Sequence, residues 1–152
     1  MADFDFSNPE ELEAAVAGFA QMAVVHAEKF YATRLDFTEK SMEDVQLILE
    51  RLQETIPRGF FARMTRRGPS DADMLKVATA YGCYTGELLR QHHGGRWKLM
   101  EFPGGTTLAL QWGDDEKQLA LPLAVAQSIL KGEKRHNILL YYQAFAEEHP
   151  AV

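Results

Sequence analysis

"AYGCYTGELLRQHHGGRW", residues 80–97, is the stretch on which the reading of the chain turns. It holds the one cysteine, Cys83, together with Glu87 and the adjacent His92 and His93. These residue types suit a metal or a nucleophile, or they fill a packed helix that stops at Gly94 and Gly95. Helical geometry separates the two readings, because each residue turns about 100° around the axis and rises about 1.5 Å. Cys83 and His92 then fall on opposite faces, and His93 lies roughly 15 Å along the axis from Cys83. Neither histidine reaches the thiol, so a Cys-His nucleophile would need a partner from elsewhere in the chain. His92 and His93 point about 100° apart, unlike an i, i+4 pair sharing zinc, and no CxxC or HExxH accompanies them. Cys83 is expected to be a small buried hydrophobe. The two histidines are expected to meet free carbonyls and the negative dipole at the helix end. No catalytic residue and no metal ligand is assigned.

What the stretch does specify is close packing. Ala78, Gly82, Thr85, Gly86 and Leu89 share one face, with Tyr81 beside it. A mid-helix glycine costs about 1 kcal/mol relative to alanine, so Gly82 and Gly86 make sense where a backbone or a ring approaches closely. Trp97 or Trp112 could supply that ring. Glu87 is expected to pair locally with Arg90. The alternative is a ligand pocket between this helix and the following sheet, lined by Tyr81, Tyr84, Glu87 and Trp97.

Working outward, residues 8–34 predict a long helix, with Ser7 as cap, Glu10 completing a capping box and Pro9 in the first turn. Its buried stripe is expected at Leu12, Val16, Phe19, Ala23, His26 and Phe30, with His26 a hydrogen-bonded core histidine. Thr38 or Ser41 caps a second helix to about residue 55, with Met42, Val45, Ile48, Leu49, Leu52 and Ile56 as its apolar face. Pro57 ends it. The helix containing residues 80–93 starts near Ser70 or Asp71. Beyond Gly95 the period changes to two, which predicts an antiparallel meander over 96–102, 106–112 and 117–121. Pro122 opens a short helix ending at Lys131-Gly132, and a last helix covers about 137–147. Its aromatics, Tyr141, Tyr142 and Phe145, read as core and rim. The fold class is α+β, in a single domain over residues 1–152.

Charge is unevenly placed within the net −6. Residues 1–56 carry 12 acids and 4 bases, whereas 57–69 carry four arginines and no acid. A largely acidic chain argues against nucleic acid as a partner, which asks for an extended basic footprint. In the insert, Arg58, Phe60, Phe61, Arg63, Arg66 and Arg67 mix arginine with aromatics as protein interfaces do. It is the leading candidate contact surface, unless the phenylalanines tuck into the core and the arginines pair with acids of the second helix. No signal peptide or membrane span is expected, and one cysteine permits no internal disulfide, so the cytoplasm is the expected compartment. No phosphate loop, GxSxG elbow or dinucleotide fingerprint is present, so no cofactor is expected.

Three pieces carry a family resemblance: "LDFTEKSMEDVQLILERL" (35–52), "AYGCYTGELLRQHHGGRW" (80–97) and "LPLAVAQSILKGE" (121–133). In this order the chain resembles an uncharacterised bacterial family of small α+β proteins, a domain of unknown function. The resemblance covers about two thirds of the chain and implies the α+β fold, with no activity and no site residues to carry over. The function expected is a non-catalytic protein-interaction or accessory module, of which toxin neutralisation is one form. A small-molecule binder or weak enzyme at Glu87 is the alternative. A homo-oligomer is the third expectation, with a melting temperature that depends on concentration.

Overall fold

Helix α1 spans Pro9–Tyr31. Asn8 is its cap, accepting from the Glu10 N–H at 3.0 Å, so the cap lies one residue after the expected Ser7. Asparagine serves this position as well as serine does, and Pro9 then falls at the first helical position. The helix ends earlier than residue 34 because Ala32 turns into the left-handed region, φ 48°, and the Thr33 N–H reaches back to the Ala27 carbonyl. The computed structural model describes residues 8–55, 71–103, 105–113, 119–133 and 136–151. Ile56 and the whole basic insert lie outside them.

The buried line of α1 runs through Leu12, Val16, Ala20, Ala23 and Ala27. Phe30, expected in the core, is instead 62% exposed. Small alanines hold the line of contact, which lets a neighbouring helix come close and leaves the bulky ring at its margin. Helix α2, Ser41–Thr55, buries Met42, Val45, Ile48, Leu49 and Leu52 as its period predicts. It also buries Gln46, whose Oε1 accepts from the Ile138 N–H at 2.9 Å.

Helix α3, Asp71–His93, is the axis of the molecule. It packs most heavily against α1 and against α4, Pro122–Leu130. Every residue from 80 to 89 is buried, as expected for a helix enclosed on all sides. The two glycines provide the close approaches. A Cβ on Gly82 would stand 2.6 Å from the Leu123 Cα of α4, and one on Gly86 would stand 2.1 Å from Cη2 of Trp97. Gly94, at φ 83°, ends the helix and leads into the sheet.

Strands β1 (Arg96–Phe102), β2 (Gly105–Gln111) and β3 (Leu119–Ala120) form an antiparallel sheet in the order β1-β2-β3. Arg96 pairs with Gln111 and Phe102 with Gly105. Of the third strand expected over 117–121, Leu119–Ala120 makes two ladder pairs to β2, and residues 117 and 118 lie outside the described residues. Helix α5, Ile138–Glu148, closes the fold, capped by Asn137. The α+β class and the element order are therefore those expected. Among the described residues no helix is long and apolar enough to cross a membrane.

Candidate functional site

Cys83 is fully buried, and burial, with Glu87 nearby, pushes its thiol up to about 12. A thiol so placed stays protonated at neutral pH and is no nucleophile. Glu87 is 5% exposed and fully engaged. Arg90 donates to it from Nε at 3.1 Å and Nη2 at 2.8 Å, and Trp97 donates from Nε1 at 2.8 Å. Burial acts to raise this carboxyl, but those hydrogen bonds and the Arg90 charge outweigh it and hold the group below its ordinary value. A general acid needs the opposite shift.

The four residues of the alternative pocket do not converge. Glu87 and Trp97 meet, with the indole lying on Gly86 in the space a ligand would need. Tyr81 points towards α1, its hydroxyl 2.7 Å from His26 Nδ1. Tyr84 points towards the turn before α2. There the Phe37 N–H donates to its hydroxyl at 2.9 Å, and Ser41 Oγ lies 2.7 Å away. Ser41 in turn donates to the Thr38 carbonyl. Since a carbonyl only accepts, the protons are ordered: Phe37 N–H to Tyr84, Tyr84 to Ser41, Ser41 to Thr38. Ser41 is thus engaged in this chain and not in capping α2.

The two histidines reach beyond their own helix. His92 Nε2 lies 3.0 Å from the Phe37 carbonyl oxygen. His93 Nδ1 lies 2.7 Å from the His149 carbonyl oxygen, and its Nε2 lies 3.0 Å from Glu39 Oε2. Both partners of His93 are oxygen acceptors, one a carbonyl and one a carboxylate. The Tyr142 hydroxyl donates to the same Glu39 oxygen at 3.0 Å, and Trp112 Nε1 donates to the His93 carbonyl at 3.1 Å. The His93 hydrogen bond is the largest cause holding Glu39 below its ordinary value. Burial and the Glu39 contact push the Tyr142 phenol up. This polar knot ties α3, α5 and the turn before α2 together. It also clamps Phe37, a bulky residue at φ 60°, through its N–H and its carbonyl. No group of three or more potential metal ligands occurs among the described residues.

Open surface lies at the other end of α3. A groove of about 520 Å³ is bounded by His26, Phe30 and Tyr31 of α1, Leu52 of α2, and Asp73, Met74, Lys76 and Val77 of α3. A recess of about 60 Å³ continues it towards Met22, Ala80 and Tyr81. Burial holds His26 below its ordinary value, favouring the neutral ring against the Tyr81 hydroxyl. Arg58, Phe60, Phe61, Arg63, Arg66 and Arg67 lie outside the described residues.

Sequence reasoning missed the knot and the groove. A polar residue inside the apolar period of α2 was the visible signal for Gln46. Nothing local marked Glu39 as the partner of His93, 54 residues away. No family model, curated protein or solved structure matches this chain.

Proposed function

We propose that the protein is a cytoplasmic bacterial accessory module that acts by binding another protein, and that the groove between α1 and α3 is its contact surface. The bacterial and cytoplasmic parts of this reading rest on the resemblance carried by residues 35–52, 80–97 and 121–133, and on a single buried cysteine. A toxin-neutralising role is one member of this class. The observation that carries the binding reading is the groove itself, with apolar side chains that run on across its margin. Phe30, in the groove, is 62% exposed, and Met22, in its recess, 48%, both on α1. Apolar surface gathered beside a concavity marks interaction sites, whereas single exposed apolar residues are ordinary. The chemistry-bearing side chains of His93, Glu39, Tyr142 and Glu87 give further support, because they are engaged within the chain.

The test is site-specific photocrosslinking in cells, from position 30 in the groove and from position 140 on α5, where Leu140 is equally exposed at 61%. A discrete adduct with another protein from position 30, absent from position 140, is expected. Adducts from neither position, or from 140 alone, would remove the groove as the contact surface.

A further inference from the structure

Resting on the reading of the groove as a protein contact, we infer that it takes an acidic amphipathic helix of the partner, apolar side chains inward and carboxylates on a cationic rim. The floor is apolar and aromatic, formed by Phe30, Tyr31, Met74 and Val77. Its walls are two helices, α1 and α3, the arrangement into which a third helix lays anchors at i, i+3, i+4 and i+7. Basic side chains gather at its edge, although residues 1–56 are strongly acidic. Lys76 lines both the groove and its recess. The Lys29 ammonium stands 5.4 Å from the Phe30 ring centroid. Arg51 is close enough to Tyr31 to pull its phenol down against the upward push of burial.

This is a segregation of charge and not an average. Residues 1–56 hold 12 acids and only 4 bases, and two of those bases adjoin lining residues, Lys29 beside the Phe30 ring and Arg51 next to Leu52 in α2. Lys76 is the one base between Ser70 and Leu89. Asp73 also lines the groove. Charges interact over a Debye length of about 10 Å at 0.1 M salt, so a docked carboxylate feels the rim far more than distant acids. A rim of this kind speeds encounter and selects the sign of the partner more than it adds raw affinity.

The experiment uses two synthetic amphipathic helices with the same leucine pattern, one carrying glutamate and the other lysine on the polar face. Each is titrated with the full chain by fluorescence anisotropy, at low and at raised salt. The glutamate peptide is expected to bind saturably and about tenfold or more tighter than the lysine peptide. The Arg51→Glu/Lys76→Glu double substitution is expected to erase that preference, and raised salt to reduce it. Phe30→Ser is expected to weaken both peptides by removing apolar floor. All three positions are exposed, so the variants fold, as circular dichroism will verify.

Equal or tighter binding of the lysine peptide overturns the inference. So does a glutamate preference untouched by the double substitution, or no binding of either peptide to the full chain. Sedimentation showing a dimer that Phe30→Ser dissolves would assign the groove to a second copy and overturn it as well. If position 30 still crosslinks to a protein while the acidic preference fails, the binding-module reading stands and only the sign of the partner is wrong.

Discussion

The two ends of α3 treat their side chains in opposite ways. At the His92–His93 end, polar groups from three parts of the chain are brought together and pair with one another, with the buried His149 Nε2 left unpaired. At the Asp73–Val77 end, apolar and aromatic groups line open space beside basic ones. The first arrangement contributes specificity of fold, since hydrogen bonds made in a low-dielectric site are strengthened there and fix which groups meet. The second leaves apolar surface in water, which costs free energy unless something covers it. Residues that look like chemistry therefore hold the fold, and residues that look like core line the surface that can bind.

The comparison can be broken hardest in the middle of α3, where both halves depend on a rigid axis. Gly86→Ala would place a methyl 2.1 Å from a ring that is itself held by the Trp97–Glu87 hydrogen bond. The indole cannot turn away without leaving a buried carboxylate short of a donor. Alanine gains about 1 kcal/mol in helix propensity, yet overpacking of this kind costs about 1–3 kcal/mol and occasionally more. A net loss of about 1–2 kcal/mol is expected, towards the upper end of that balance because the ring is tethered, with a changed near-ultraviolet tryptophan signal. Denaturant titration showing wild-type stability would mean that Trp97 does not press on this helix.

The knot predicts a smaller, pH-dependent effect. Glu39 has its carboxyl held below the ordinary value in the folded state, chiefly by His93. A depressed carboxyl binds protons less readily when folded than when unfolded. Its stabilising contribution is therefore present above the unfolded pKa, about 4.3, and is lost as pH falls through the folded value. Glu39→Gln is expected to cost about 1 kcal/mol or less at neutral pH, because the Glu39 side chain is 45% exposed and solvent screens the pair. The variant should also flatten the fall in stability below about pH 4.5. Parallel pH profiles for variant and wild type would show that the pair does not contribute.

What was legible in the sequence was local. The apolar period of α2, the stop at Gly94, the sheet after it and the Glu87–Arg90 pair three residues apart all lie within short windows. The glycines at 82 and 86 signalled close approach, and Trp97 was among the rings foreseen at such a contact. The knot was not legible, because its bonds join residues 54 and 103 apart, as in Glu39 with His93 and with Tyr142. Spacing along one helix can show that His92 and His93 diverge, but not what each will meet. The groove was hidden for another reason. Phe30 keeps helical register with Leu12, so periodicity placed it in the core, and only the position of α3 beside the alanines of α1 leaves it outside.

The smallest expected effect on stability sharpens the comparison most. If Phe30 is open surface, Phe30→Glu should change the unfolding free energy by no more than about 0.5 kcal/mol, as exposed substitutions do. A phenylalanine that was core would lose about 3–5 kcal/mol on truncation, and more with a buried charge. The gap between those outcomes is several times the error of a denaturant titration. A loss of 2 kcal/mol or more, by that reasoning, would mean that the groove is packed against another part of the chain, and the contrast between the two ends of α3 would fail. A near-zero change, joined to loss of a crosslink placed at Met22 in the adjoining recess, would separate binding from folding along one helix.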